Sequence, residues 1–288
     1  MKYRIDYSCN GMKIAQYLKG KHGFSSRMLT KLRKTEDGIL KNGVPAKTID
    51  VLRPGDLLEI CFAKEENTYK RSSIQVPILY EDRELVVFDK PWGMPTHTTP
   101  AYQTGTLANV FAYHCDVTGE YAPFRVLGRL DYNTSGCVVC AKNQYVAKML
   151  QHGIQKTYYG FVTGVPHPKK GKICAPIGKP DNNINKRCVM EDGKFAVTDY
   201  CVMRAFGKEY ALCEFVIHTG RTHQIRVHMS YIGHPLLGDV LYGGNTSLIQ
   251  RHALHCGCVE FTHPITGRNI SVSAVLPPDM HRLLLDNF

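Results

Sequence analysis

Residues 124–142, FRVLGRLDYNTSGCVVCAK, leave this chain little freedom in how it folds. A short apolar run at Val126-Leu127 enters Gly128-Arg129-Leu130-Asp131. A polar turn follows at Tyr132-Asn133-Thr134-Ser135-Gly136, and a second apolar run occupies 137–141. Side chains alternate along an extended chain, so Arg129 and Asp131 share a face. The hydroxyls of Thr134 and Ser135 and the permissive backbone of Gly136 suit a tight turn. From these residues alone two readings stay open: a surface ion pair beside a hairpin, or one carboxylate fixed for chemistry at the mouth of a strand–turn–strand.

Elsewhere, strand-like runs are expected at 78–80, 85–89, 125–127, 137–141, 158–163, 196–203, 210–218 and 270–274. Helical patterns fall at 106–114, 144–152, 222–231 and 279–286. Strands often follow one another with no helix between. That implies an α+β class, with a mixed, largely antiparallel sheet and flanking helices, rather than a doubly wound sheet. No G-x-G-x-x-G or G-x-x-x-x-G-K stands in the context those motifs require, so no nucleotide cofactor is indicated. No apolar run approaches the length of a bilayer span, and the opening MKYRIDYSCNG has no signal-peptide core. The eleven cysteines are odd in number and scattered, several of them inside apolar runs. Reduced thiols in the cytoplasm are the economical account.

The formal charge of +11 is uneven: residues 1–65 hold 13 Lys and Arg against 7 Asp and Glu, and the rest hold 23 against 18. Positive charge gathered in a small module favours a polyanionic partner, with general solubility as the plainer alternative. Residues 1–63 read as that module, a small α/β unit. An alternating strand at 3–7 leads to amphipathic segments at 12–18 and 25–32, the second with Ser25 or Ser26 as N-cap. Asn42-Gly43 signals a hairpin, and Pro54-Gly55-Asp56 turns the chain into a strand at 57–62. Arg27, Lys31, Arg33 and Lys34 have spacings of three and four that put several of them on one helix stripe. Residues 64–75 are polar and without period, a linker to a second domain at 76–288.

Arg129-Leu130-Asp131-Tyr132-Asn133-Thr134-Ser135-Gly136 resembles the central motif of the RNA pseudouridine synthases, whose aspartate is the catalytic group. Three further stretches are similar to the RluA-type branch of that family. Lys90-Pro91-Trp92-Gly93-Met94-Pro95-Thr96-His97 resembles its Lys-Pro-x-Gly-x-x-x-His loop, which helps build the substrate cleft. Lys156-Thr157-Tyr158-Tyr159-Gly160-Phe161-Val162-Thr163-Gly164 resembles Lys-x-Tyr-x-Ala-x-Val-x-Gly, which places Tyr158 at the active-site tyrosine. Thr219-Gly220-Arg221-Thr222-His223-Gln224-Ile225-Arg226-Val227-His228 resembles the motif whose first arginine, here Arg221, pairs with the aspartate. Residues 1–63 resemble the small RNA-binding fold shared by a small-subunit ribosomal protein and many RNA-modifying enzymes. Gly128 departs from the branch, which usually has histidine there.

The resemblance implies isomerisation of uridine in structured RNA, ribosomal or transfer, to pseudouridine, by a monomer that needs no cofactor. Asp131, Tyr158 and Arg221 would be catalytic. Contacts to RNA or the target base would come from Arg129, Lys90, His97, Lys156, His223, Arg226, Arg27 and Lys31. Asp131 would act either as nucleophile or in removing a sugar proton; the choice stays open. His252, His255, Cys256, Cys258 and His263 invite a zinc reading, but Cys-x-Cys is tighter than structural zinc spacing, and no metal is expected. The rival from another class is a non-catalytic RNA-binding or ribosome-assembly protein that keeps the fold.

Overall fold

The computed structural model describes residues 1–63, 65–180 and 186–285. The N-terminal unit runs β1 (Lys2–Arg4), α1 (Ile14–His22), α2 (Ser26–Lys34), β2 (Ile39–Lys41), β3 (Val44–Pro45) and β4 (Leu57–Ile60). Its antiparallel sheet has the order β1-β4-β2-β3. Ser25 caps α2 by accepting the Met28 amide at 3.2 Å, which supplies a partner to one of the donors a helix start leaves free. Met28, Leu29 and Leu32 turn inward, while Arg27, Lys31, Arg33 and Lys34 stay exposed on the outer side. Asn42 and Gly43 sit at φ 54° and 80°, the left-handed pair that a two-residue hairpin turn demands.

The larger body begins with β5 (Ile78–Glu81), β6 (Leu85–Lys90), α3 (Leu107–Thr118), β7 (Arg125–Val126), β8 (Ser135–Ala141), α4 (Gln144–Met149) and β9 (Gln155–Thr163). It continues through β10 (Lys170–Cys174), β11 (Ile177–Gly178), β12 (Cys188–Val189), β13 (Val197–Phe206), β14 (Tyr210–Ile217) and α5 (Gln224–Tyr231). It closes with β15 (Leu254–Thr262), β16 (Asn269–Ser273) and α6 (Pro278–Leu285); Asp286, the expected last residue of α6, lies outside the described residues. One sheet dominates, in the order β10-β13-β14-β9-β15-β8-β6-β5, with β7 added on β8 and β16 on β15. Its pairings are antiparallel except where β8 runs parallel to β15, His255 opposite Ser135. The expected α+β class and largely antiparallel sheet are what the chain adopts.

The apolar run at 137–141 is buried at every position, as a central strand covered on both faces requires. β15 was not among the expected strands. One histidine, two cysteines and a glycine break its apolar pattern, and its pairing with β9 shifts between Cys256 and Cys258, a bulge that accommodates Gly257. A side chain at 257 would run into the Tyr159 ring. The linker is laid on the body rather than hung from it. Asn67 donates to the Ala122 carbonyl at 3.2 Å, and Arg71 grips Asp116 at 2.7 and 3.0 Å. Between the two sheets, Phe24 stacks on Tyr145 at 4.6 Å and Lys148 donates to the Gly23 carbonyl. Among the described residues, no helix is long and apolar enough to cross a membrane.

Gly136 ties the fold to the site. It opens β8 at φ 108°, and a Cβ there would collide with the Cys256 carbonyl of the neighbouring parallel strand. Gly136→Ala should therefore cost on the order of 2–4 kcal/mol, from backbone strain and overpacking together. Urea unfolding followed by circular dichroism would measure it.

Candidate active site

Three pieces of chain wall a cleft of about 420 Å³: the loop between β7 and β8, the first half of β9, and the turn from β14 into α5. Residues 150–154, just after α4, contribute to the same wall. Side-chain alternation works here as the sequence suggests. Leu130 is buried, with its backbone held on both sides by the Thr96 hydroxyl, and Arg129 and Asp131 both face the cleft.

Asp131 Oδ2 lies 3.3 Å from Arg226 Nη1 and 3.7 Å from His223 Nε2. Arg226 is itself fixed from behind. Asp239, almost wholly buried, accepts from its Nε at 2.7 Å and its Nη2 at 2.8 Å, and the guanidinium stands 5.0 Å from the Tyr242 ring centre. Burial alone would lower the pKa of Arg226, but the Asp239 carboxylate outweighs it and raises the pKa above its ordinary value. His223 sits in the left-handed region at φ 59° before α5, with Nδ1 at 2.9 Å from the Tyr242 hydroxyl. Burial holds its pKa below the usual imidazole value, against the pull of Asp131. Tyr158 forms part of the floor, 6% exposed, and burial raises its pKa well above that of a free phenol. It therefore keeps its proton at neutral pH.

The family profile described as RNA pseudouridylate synthase matches residues 84–231, which hold the cleft walls. The chain belongs to that family. It is 35% identical to an uncharacterised RNA pseudouridine synthase, YjbO, of Bacillus subtilis over 95% of this chain and 98% of that one. It is 35% identical to the ribosomal large subunit pseudouridine synthase D of Pseudomonas aeruginosa, covering 86% of this chain and 85% of the relative. That match bears out the RluA-type resemblance. The solved structure of human RNA pseudouridylate synthase domain containing 4 superposes with a TM-score of 0.58 at 25% identity, over 72% of this chain and 93% of that one.

In this pseudouridine synthase the partner of Asp131 is Arg226 and not Arg221, as the motif had suggested. Arg221 lines the cleft, but its Nε donates to the Phe195 carbonyl and its amide to Gln224 Oε1. Gln224 is buried and also grips Val197, Thr198 and Thr219, so the Thr-Gly-Arg turn is locked from inside and aims Arg221 outward. Arg129 reaches across the cleft to the Thr222 hydroxyl at 3.0 Å. Arg27 and Lys31 stand on α2, away from the cleft walls.

Three expected substrate contacts are turned to the scaffold instead. Lys90 is fully buried, and its ammonium donates to the Pro91, Met94 and Tyr132 carbonyls; burial lowers its pKa to about 7. His97 packs edge-on against Phe124, 5.2 Å between centroids, outside the cleft. Lys156 does border the cleft, but its ammonium is buried and donates to the Leu127 and Gly128 carbonyls at 3.0 and 3.1 Å. Any side chain at 128 would begin 2.8 Å from that nitrogen, and φ there is 82°. Gly128, the departure from the branch pattern, is thus the residue that lets Lys156 latch the loop carrying Asp131 to the strand carrying Tyr158.

The histidines singled out for zinc are separately engaged. His252 bonds Thr134 at 2.8 Å, His255 bonds Ser135 at 2.9 Å, and His263 faces Asp82 at 3.0 Å. Among the described residues no three His, Cys, Asp or Glu gather closely enough to hold a metal. Asp239 and Tyr242 escaped the sequence reading. The available signal was a lone acid in the apolar run Leu236-Leu237-Gly238-Asp239-Val240-Leu241, since a carboxylate in such company implies a buried partner.

Asp239→Asn would leave Arg226 half-anchored and able to rotate off Asp131. We expect kcat to fall on the order of 10²-fold with RNA affinity unchanged, measured by tritium release from uridine-labelled RNA beside a filter-binding assay. A second expectation concerns acid. Burial lowers the pKa of His255 to about 4 and that of His252 well below 6.5. As pH falls from about 6.5 to about 4, the unfolded chain binds protons that the folded imidazoles refuse, so stability is lost across that window and is full above it. Urea midpoints measured along the pH series should fall accordingly, and less steeply in His255→Asn.

Proposed function

We propose that Asp131 is the catalytic carboxylate and that the uridine it acts on lies in ribosomal RNA. The observation that carries this reading is the placement of Asp131 beside a permanently charged, doubly anchored Arg226, over a buried Tyr158, in a cleft of a size for one pyrimidine nucleotide. The Pseudomonas aeruginosa relative, a ribosomal large subunit pseudouridine synthase D, supports the choice of RNA.

The reaction breaks the bond between ribose C1′ and the uracil nitrogen, turns the base while it is held, and joins C1′ to a ring carbon, whose hydrogen leaves as a proton to solvent while the freed nitrogen takes one up. Asp131 attacks C1′ or removes a sugar proton. Both routes need the carboxylate ionised and aimed, and the Arg226 guanidinium favours that state. Tyr158 keeps its proton, so it serves as a wall for the uracil and a hydrogen-bond donor rather than as a ready base. His223, neutral at pH 7, leaves the net charge at the carboxylate unaltered. The base must leave its stack to enter, and Arg129, exposed at the mouth, is placed to fill the space it vacates.

Residues 1–63 act as an RNA-binding unit through Arg27 and Lys31, whose exposed charges sit on a capped, well-packed helix. Free thiols at all eleven cysteines support a reducing compartment, and we read the enzyme as a cytoplasmic monomer. Asp131→Asn should lower pseudouridine formation by about 10²–10⁴-fold or more while RNA binding holds. Turnover at the unaltered rate in tritium release would end the mechanism.

A further inference from the structure

We propose that Trp92, Tyr102 and Tyr132 form a stacking platform at the edge of the cleft for an unpaired RNA base adjoining the uridine that is isomerised. The proposal rests on the reading of Asp131 as the catalytic carboxylate of an enzyme acting on RNA.

Three large aromatic side chains on neighbouring loops are exposed: Trp92 at 51%, Tyr102 at 44% and Tyr132 at 43%. The rings of Tyr102 and Tyr132 lie 5.4 Å apart, tilted by 34°. Trp92 rests against the Arg251 guanidinium at 5.8 Å, and Arg251 is immobilised by Asp279 and by the Asn133 and Leu254 carbonyls. One side of the indole is therefore backed by a fixed cation while about half of the residue stays open.

The loops that carry these rings are braced far more firmly than exposed loops require. Lys90 joins them from beneath, giving its ammonium to Pro91 and Met94 on the Trp92 loop and to Tyr132 on the catalytic loop. Gly93 donates its amide to the same Tyr132 carbonyl at 2.9 Å. Burying a lysine is costly, and here it contributes nothing to the cleft itself. What it does is fix the relative placement of Trp92 and Tyr132. Tyr102 is held in its turn by two backbone bonds to Thr99, each 3.0 Å. The aromatic faces are thus set before any ligand arrives, which lowers the ordering cost of binding.

Position names the occupant. Tyr132 directly follows Asp131, which lines the cleft, so the platform is carried one residue from the cleft wall. A base flipped into the cleft strips its neighbour of a stacking partner. An exposed aromatic ring replaces that partner whatever the base identity, because every base has a π-face. The surplus of positive charge over the whole chain suits the phosphates that join the two nucleotides.

Trp92 is the sole tryptophan, so intrinsic emission reads this one ring. A short RNA hairpin with a uridine in its unpaired loop would be titrated into the full-length protein, with occupancy followed independently by gel shift. The platform predicts quenching of Trp92 emission that tracks occupancy. It predicts recovery of emission, and affinity about tenfold weaker, when the loop nucleotides beside the uridine are made abasic. Tyr132→Ala should weaken binding about tenfold and Tyr132→Phe should restore it, with the far-ultraviolet spectrum unchanged in both. Emission unaltered at full occupancy, or Tyr132→Ala binding as tightly as the parent, would overturn the platform and leave the enzyme reading intact. Failure of that reading would show elsewhere, as unchanged tritium release by Asp131→Asn.

Discussion

One arginine shared between two carboxylates organises this molecule. Arg226 is clamped by the buried Asp239 through two nitrogens and offers its third to Asp131. The shorter, buried contacts go to Asp239, and the longer one goes to the cleft. That inequality fixes Arg226 firmly against Asp239 and leaves its contact with Asp131 the longer and less buried of the two. A buried guanidinium with only one carboxylate in such a place would be poorly satisfied after Asp131 engaged a substrate. Asp239 removes that difficulty in advance.

Around this centre, buried cations hold backbone rather than ligand. Lys90 collects carbonyls from two loops, Lys156 ties the Asp131 loop to β9, and Arg251 holds the turn after Asp131 against α6 through Asp279. Each occupies a point where a loop tip would otherwise have unpaired acceptors away from water. Thr134 and Ser135 complete the bracing through His252 and His255. Asp131 is presented by a loop, yet that loop is restrained on every side, which keeps the carboxylate in position without a strand to carry it.

The two sheets meet where α4 begins, and the chain immediately after α4 lines the cleft. Contacts with the N-terminal unit and the wall of the cleft are therefore only a few residues apart in the chain.

Much of this was legible in the chain itself. Alternation put Arg129 and Asp131 on one face, Ser25-Ser26 announced the start of α2, Asn42-Gly43 announced its hairpin, and the all-apolar run at 137–141 announced a covered strand, because each depends on local stereochemistry and period. The motifs singled out Asp131 and Tyr158, and both line the cleft. The choice of Arg226 over Arg221 was not legible, since both precede or enter the same helix and only the long-range contact with Asp239 separates them. Nor was the fate of Lys90, His97 and Lys156: a sequence shows that a cation is present, and only packing decides whether it meets solvent or a carbonyl. β15 stayed hidden because its bulge at Gly257 is set by the Tyr159 ring across the sheet. Local chemistry named the parts, and tertiary contact decided which of them face the cleft, because burial and long-range pairing belong to no single segment.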